Sequence, residues 1–273
     1  MDYSEFVETM REEVEKLIDT EMRVDIHAAT KNNGTSREGL VIIRTGINIS
    51  PTIYLEEFYD QYLNGNSIPD LAQSVLRLYE KIKVEHPFPC ENILNYDMIK
   101  DRIAYKLINR EWNEKLLQQI PHIDYLDLSI VFYLLLDNSE FGNATILLRN
   151  EHIKAWDVSL DELYSTAAAN TKSILPEIVD KMTDFMYVVS NSSRTLGASA
   201  ILYEGILKKI EEQAGEKFYI LPSSIHELII IPADYGIDRE HLELMVKEIN
   251  ETEVDREERL SNRVYYYDGE KMK

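Results

Sequence analysis

Cysteine is almost absent from this sequence. Cys90 is the single cysteine among 273 residues, so no disulfide can form within the chain, and a zinc site built on cysteine is not expected. A chain that folds without disulfides is typical of a reducing compartment. We therefore expect a cytoplasmic protein.

Long hydrophobic runs are also missing. A helix that crosses a bilayer needs ~20 predominantly apolar residues. The longest apolar run, LSIVFYLLL, covers only Leu128–Leu136 and is followed by Asp137. The N-terminal segment MDYSEFVETMREEVEKL is acidic and amphipathic, without the basic and apolar regions of a signal peptide. These features predict a soluble chain that is not associated with a membrane.

Positive charge is scarce. The chain has 29 basic and 49 acidic residues, giving a formal net charge of −20. Such a charge repels phosphate backbones, so direct nucleic-acid binding is disfavoured. The excess of carboxylates is consistent with simple solubility. The alternative is an acidic face that mimics DNA and inhibits a nucleic-acid-binding protein.

Complete catalytic motifs are lacking, although LPSSIHELIIIP places two serines close to a histidine. A nucleophilic serine sits on a glycine-flanked elbow, whereas Ser223 and Ser224 follow Pro222 and have no neighbouring glycine. Ser224 and Glu227 instead have the spacing of a capping box. We interpret the segment as a turn between two buried strands.

Phosphate-loop and metal-site motifs are incomplete as well. GTSREG has the glycine spacing of a phosphate-binding loop, but Leu40 and Val41 stand where lysine and serine or threonine belong. The histidines show neither HxH nor HExxH spacing; they are His27, His86, His122, His152, His226 and His241. The sequence thus predicts no catalytic residues, no metal and no cofactor, and it favours a protein that is not an enzyme.

What the sequence does contain is a recurring alternation of helices and hairpins. The order helix–strand–turn–strand–helix occurs near residues 3–64, 96–175 and 197–250. Strands joined by short turns are antiparallel, so we predict an α+β fold of antiparallel hairpins flanked by helices. Ile120-Pro121 suggests a division into regions 1–120 and 121–273, with a single domain as the alternative.

Local signals place individual elements. Ser159 and Asp238 are predicted N-caps, and NNG is a predicted hairpin turn. Ser50-Pro51 is expected to open a helix, and helices are expected from about Tyr96 to Gln119, while HPFPC should break the pattern and NSEFGN should form a turn. Further predicted elements are a strand at VYYYD and a helix over ASAILYEGILKKIEEQ that closes at Gly215.

One turn has the composition of a ligand site. SNSSRTLGAS joins a predicted strand to a predicted helix start, where free N–H groups and the helix dipole favour anions. Asn191, Ser192 and Ser193 supply hydrogen-bond donors, and Arg194 supplies a cation. We predict that Asn191–Arg194 contacts an anionic small molecule or a partner's carboxylate. The alternative is a cap by Ser193 or Thr195, with Arg194 paired to a nearby acid.

Several stretches together resemble a known family; they are IYLEEFYDQYLNG, YLDLSIVFYLLLDN, WDVSLDELYSTAAANT, SSIHELIIIPADYGIDREHLELMVKEIN and RLSNRVYYYD. The chain is similar to an uncharacterised bacterial family, a domain of unknown function common in gut Firmicutes. The resemblance runs over most of the chain and rests on pattern and order. It implies a bacterial cytoplasmic protein with an unassigned role, and it supplies no active site.

These observations favour a non-enzymatic binding or regulatory protein that acts through a protein partner or by self-association. One alternative is a binder of a small anionic molecule, or an enzyme of unrecognised type, with Asn191–Arg194 as its anion contact. The other alternative is the acidic DNA mimic. The first function requires no catalytic motif, and none is present.

Overall fold

The computed structural model of the chain describes residues 1–48, 50–83, 93–136 and 145–273. The predicted break at HPFPC and the predicted turn at NSEFGN lie outside these residues, as do His86 and Cys90. Contacts between Cα atoms divide the described residues into two compact units. The first takes in those of Met1–Lys31, Thr35–Glu91 and Leu136–Ala144, and the second those of Asn32–Gly34, Asn92–Leu135 and Thr145–Lys273.

The first unit packs helices against a three-stranded antiparallel sheet. Its elements are α1 (Tyr3–Glu15), β1 (Met22–Thr30), β2 (Ser36–Arg44), β3 (Thr52–Tyr54), α2 (Glu56–Leu63) and α3 (Ile68–Ile82). The predicted hairpin is confirmed, with Ile26 opposite Leu40 in the register of β1 and β2. Asp2 begins α1 through a capping box with Glu5, which satisfies two backbone N–H groups at the helix start.

The core of this unit follows from the apolar stripes of its helices. It consists of buried side chains from the helices, the strands and the segment between them, among them Phe6, Met10, Val14, Leu40, Ile42, Leu55, Leu71 and Val75. The stripe of α3 recurs at intervals of three and four residues, which places its apolar side chains on one face of a helix. Burial of these faces, rather than local propensity, stabilises the helices.

The second unit begins with a four-stranded antiparallel sheet. Its elements are α4 (Tyr96–Ile99), β4 (Ile103–Asn109), α5 (Glu114–Leu117), β5 (His122–Tyr125), β6 (Leu128–Leu135), β7 (Thr145–Leu147), α6 (Asn150–Trp156) and α7 (Leu160–Ile174). The strand β6 pairs with β4, β5 and β7. The side chain of Thr171 on α7 accepts a hydrogen bond from the Tyr105 N–H of β4 at 3.1 Å.

A five-stranded antiparallel sheet in the order β12-β10-β11-β9-β8 completes this unit. Its elements are β8 (Glu177–Thr183), β9 (Met186–Asn191), α8 (Ile206–Ala214), β10 (Phe218–Leu221), β11 (Leu228–Pro232), α9 (Arg239–Thr252) and β12 (Tyr265–Tyr267). Buried Leu242 and Val246 of α9 pack against Leu221 of β10 and Ile231 of β11. The predicted strand at VYYYD is confirmed.

The α+β class with antiparallel hairpins is confirmed, since every strand pairing among the described residues is antiparallel. The division at Ile120-Pro121 stays a prediction about folding units, although the paired strands β4 and β6 lie on either side of it. Within the described part of the chain, no helix is both long and apolar enough to cross a membrane.

Three predicted elements were wrong. Residues 103–109 form strand β4 and not a helix, because a strand that is buried on both faces shows no alternation in sequence. Ser50-Pro51 does not open a helix, since Thr52–Tyr54 pairs with β2 and α2 begins at Glu56. The helix expected from Ala198 begins only at Ile206, and Gly197–Leu202 forms a buried 3-10 turn.

Candidate functional site

The predicted ligand turn Asn191–Arg194 lies at the end of β9. Asn191 is fully buried, and its Nδ2 donates to Thr195 O at 2.9 Å while its Oδ1 accepts from Ser193 N at 3.1 Å and from Ser193 Oγ at 2.9 Å. Its amide therefore closes the turn on itself. Ser192 has an exposed side chain, and its N–H donates to Pro176 O.

The cation of this turn has a partner as well. The Arg194 guanidinium forms an ion pair with Asp180 on β8. The next N–H group, that of Leu196, donates to His226 Nδ1 at 3.1 Å. Arg194 thus pairs with a nearby acid, as the alternative interpretation expected. The cap that this alternative assigned to Ser193 or Thr195 is wrong, because the following 3-10 turn has no side-chain cap and α8 begins only at Ile206. Binding of an anion by this turn stays a prediction.

The segment around His226 is a turn, as its sequence predicted. Ser224 Oγ accepts a hydrogen bond from His226 N at 3.0 Å, so the expected capping box with Glu227 is wrong. His226 Nε2 lies 3.4 Å from Glu258 Oε1. Backbone hydrogen bonds from Ile225 N to Glu258 O and from Ser261 N to Pro222 O attach the turn to the C-terminal segment.

A different group of residues forms a site in the second unit, and it begins with buried asparagines. Asn33 has a left-handed backbone conformation, with φ of 58°, and its side chain is 3% exposed. Its Nδ2 donates to the carbonyl oxygens of Arg256 at 2.8 Å and Arg259 at 2.7 Å. One amide group therefore fixes the backbone on which both arginines are carried.

Two further asparagines extend this network. Asn113 Nδ2 donates to Asn33 Oδ1 at 2.9 Å, and Asn113 Oδ1 accepts from Asn33 N at 2.8 Å. Asn109, the last residue of β4, donates to Leu260 O at 3.0 Å and accepts from Trp112 N at 3.0 Å. A buried polar network whose groups are all paired is rigid, so it positions both Trp112 and the segment after α9.

These residues surround a recess of about 180 Å³ that we call the Arg–Trp pocket. Its lining is Asn33, Trp112, Glu251, Arg256, Arg259 and Asn262. Asn250 of α9 orients the last of these, because its Nδ2 donates to Asn262 Oδ1 at 2.7 Å and to Ser261 O at 3.0 Å. The buried Asn250 Oδ1 has no hydrogen-bond partner among the described residues.

The two arginines of the Arg–Trp pocket differ from several others in the chain. Arg259 Nε donates to the Val254 carbonyl at 2.9 Å, and neither Arg259 nor Arg256 forms an ion pair with a carboxylate of the described residues. Arg11, Arg110, Arg194 and Arg239 all do. An unpaired guanidinium presents a planar set of donors that suits carboxylate or phosphate.

Sequence reasoning missed this pocket. Its residues come from a hairpin tip, from the end of β4 and from the segment after α9, so no spacing rule connects them. The available signal was the arginines of DREERLSNR, which interrupt an acidic stretch. Across the described ranges, no three His, Cys, Asp or Glu side chains come close enough together to hold a metal ion.

Comparison with known proteins gives a family and no activity. A family model described as a family of unknown function, DUF5688, matches residues 3–186 and 183–269. The chain belongs to this family. No curated protein and no solved structure matches it. The resemblance expected from the sequence is thereby confirmed at the level of the family, while a bacterial origin in gut Firmicutes stays a prediction.

Proposed function

We propose that this DUF5688 protein binds a small molecule through an anionic group, such as a carboxylate, which it takes up in the Arg–Trp pocket. The observation that carries the proposal is the pair of guanidinium groups, Arg256 and Arg259, without carboxylate partners in a chain of net charge −20. Acidic side chains are abundant enough to pair with most cations. Two neighbouring cations left without such partners at a recess favour an anion supplied from outside.

The pocket also has features of a small-molecule site. Binding sites are concave, are largely formed before binding and combine an aromatic surface with a few placed polar groups. Trp112 supplies the aromatic surface, and the asparagine network holds the backbone that carries Trp112 and the two arginines. A backbone that is ordered before binding supports affinity, because less conformational entropy is lost on binding.

A thermal-shift screen tests this function. Phosphate, succinate, citrate and acetate are each added to the wild-type protein, to the Arg256→Ala/Arg259→Ala double variant and to Arg239→Ala. A ligand at 100 times its Kd adds about 2.7 kcal/mol of stability. We expect at least one anion to raise the Tm of the wild type and of Arg239→Ala, whose arginine pairs with Glu243 outside the pocket.

Two results of that screen would contradict the proposal. One is the absence of any saturable shift in the wild type, both with these four anions and with glycine and L-valine, each of which carries a carboxylate. The other is a shift of equal size in the double variant, which would place the anion elsewhere, for example at Asn191–Arg194. Arg194→Ala then decides whether that turn is the site, since loss of the shift in this variant alone would identify it.

A second candidate function is self-association through the edge strand β8, and a specific pattern favours it. β8 pairs with β9 alone among the described strands, and exposed edges are prone to pair with another chain. In an antiparallel pair of β8 strands centred on Val179, each Glu177 would face Lys181 of the second copy. Glu177 and Lys181 would then exchange their present partners, Lys209 and Asp184, for each other. Met182, 62% exposed, lies at the end of this edge.

Sedimentation velocity tests this second function. We expect a dimer in the wild type, and a monomer after Val179→Pro, because proline removes an edge N–H group and is poorly accommodated within a pairing strand. Val179→Thr serves as the control that keeps the N–H group. A wild-type monomer at all concentrations would contradict self-association.

A further inference from the structure

The lining of the Arg–Trp pocket includes one carboxylate, whose negative charge affects which ligands can bind. Glu251, in the last turn of α9, lines the same recess as Arg256 and Arg259, and it forms no ion pair with a basic side chain of the described residues. A carboxylate at the rim repels a ligand that carries only negative charge. It attracts a ligand that carries an ammonium group as well.

The remaining lining groups suit the other parts of such a molecule. Asn262 uses its Oδ1 for the hydrogen bond from Asn250, and that bond leaves its Nδ2 free to donate to a carboxylate. Trp112 offers an apolar face to a short aliphatic side chain. Asn33, whose Nδ2 already donates twice to backbone carbonyls, positions the arginines and is not needed as a ligand contact.

The recess is small. Its volume of about 180 Å³ lies below the ~300–1,000 Å³ of most drug-sized ligand sites. A molecule with few non-hydrogen atoms would fill it, and a larger ligand would extend beyond its lining into solvent.

From these groups we infer that the ligand is a small α-amino acid. Its carboxylate contacts the guanidinium groups of Arg256 and Arg259, its ammonium group contacts Glu251, and its aliphatic side chain lies against Trp112. The inference rests on the proposed function, because the amino acid's carboxylate is the anionic group that the same two arginines bind. It goes further in requiring both charges on one molecule.

Isothermal titration with matched probes tests this inference. Glycine, L-alanine, L-valine and L-leucine represent the class. Isovalerate is valine without its ammonium group, and isobutylamine is valine without its carboxylate. At low ionic strength we expect at least one amino acid of this set to bind with a stoichiometry of one. We expect isovalerate and isobutylamine each to bind at least 10-fold more weakly than L-valine.

A pair of variants identifies the group that recognises the ammonium. Glu251→Gln keeps the shape of the side chain and removes its charge, and we expect it to weaken amino-acid binding at least 10-fold while leaving isovalerate binding unchanged or stronger. Glu248→Gln, an exposed residue of the same helix, is the matched control and should bind like the wild type.

The outcomes separate this inference from the proposed function. Equal binding of L-valine and isovalerate, with no effect of Glu251→Gln, would overturn the amino acid as ligand and leave an anion site. Binding of phosphate, succinate or citrate without binding of any amino acid would do the same. Absence of binding by every amino acid and every anion tested would overturn both.

Discussion

Asn33 shows at the scale of one residue how a polar side chain organises this protein. Asparagine tolerates the left-handed conformation that the hairpin tip requires, and its amide can pair with two carbonyls at once. The sequence predicted the turn at NNG from the first property. It could not predict the second, because Arg256 and Arg259 are more than two hundred residues away along the chain.

Replacement of Asn33 should therefore destabilise the protein in two separable ways. Loss of the amide leaves the part-buried carbonyls of Arg256 and Arg259 without this donor, which lowers the free energy of unfolding by up to about 1–3 kcal/mol per group. Alanine also disfavours the left-handed backbone by roughly 1–2 kcal/mol, whereas glycine does not. We expect Asn33→Ala to unfold in less urea than Asn33→Gly, and both in less than the wild type. Equal midpoints for all three would contradict this account.

Tyr265 of β12 is a second residue whose role is structural. It is buried, and its hydroxyl donates to Asp127 Oδ1 at 2.6 Å. Burial, with the charge of Asp127 as a further cause, raises the pKa of Tyr265 above its usual range. The tyrosine is therefore a neutral donor at physiological pH, and Asp127 accepts a second hydrogen bond, from Ser261 Oγ at 2.7 Å.

Tyr265→Phe removes this donor and should lower the free energy of unfolding by about 1.5–3 kcal/mol, the range for a hydrogen bond to a charged group. Tyr266→Phe is the control, because the Tyr266 ring packs on Tyr219 and its hydroxyl donates no hydrogen bond to a described residue. Urea denaturation measures both. A loss of the same size in the two variants would show that ring packing, and not the bond to Asp127, is responsible.

At the scale of elements, the sequence predicts most accurately the helices and strands whose ends are marked by a capping or turn residue. The caps Ser159 and Asp238 are confirmed, with Ser159 Oγ accepting from Glu162 N and Asp238 Oδ1 from His241 N. The strand β4 has no such signal. Six of its seven residues are buried, and an apolar run of this kind is ambiguous between helix and strand until its partner is known.

The cap of α9 gives a prediction for a whole element. Asp238→Ala removes the acceptor of the His241 N–H at 2.8 Å, and such losses cost about 1 kcal/mol. Asp238→Asn keeps a capping oxygen without the charge and should retain most of the stability. Thermal unfolding followed by circular dichroism compares the two. If Asp238→Asn lost as much stability as Asp238→Ala, charge at the helix start would be the cause.

The helix α6 gives a prediction about pH. His152 Nδ1 accepts a hydrogen bond from Arg149 N at 3.0 Å, and burial, with the charge of Arg149 as a lesser cause, lowers the pKa of His152 below its ordinary value of 6.5. The unfolded chain takes up this proton more readily than the folded protein does. The contribution to stability is therefore present above pH ~6.5 and is lost as the pH falls below that value.

His152→Gln keeps a side-chain acceptor and cannot titrate. We expect the free energy of unfolding of the wild type to decrease, relative to that of the variant, when the pH is lowered from 7.5 to 5.5. Urea denaturation at the two pH values measures this difference, and titration of the other groups cancels in the comparison. A difference that does not change with pH would show that protonation of His152 is not linked to folding.

At the scale of the whole molecule, the sequence predicted the class of fold and not the site. The α+β class follows from hairpin and helix patterns that are local in sequence, as for β1 and β2. The Arg–Trp pocket depends on contacts between Asn33, Trp112 and Arg256, which only the folded chain brings together. The predicted turn Asn191–Arg194 had the composition of a site, but its donors bind neighbouring groups.

The Arg–Trp pocket places two cations together in a chain whose net charge is −20. A strongly acidic surface keeps anions away on average, so binding of a small anion requires a local arrangement of cations. Arg256 and Arg259 provide one, with their backbone held by Asn33. The net charge does not decide between the other predicted functions. Binding of a protein partner, self-association and DNA mimicry stay predictions, and each needs its own test.

Fluorescence of Trp112 tests the central claim most directly. The chain has two tryptophans, and Trp156→Phe leaves Trp112, in the lining of the Arg–Trp pocket, as the single tryptophan, which is excited at a wavelength where tyrosine does not absorb. This variant is titrated with L-valine, glycine, phosphate and succinate. We predict a saturable change in Trp112 emission with at least one of them, abolished by Arg256→Ala/Arg259→Ala. Unchanged emission with all four, or a change that survives the loss of both arginines, would contradict the account.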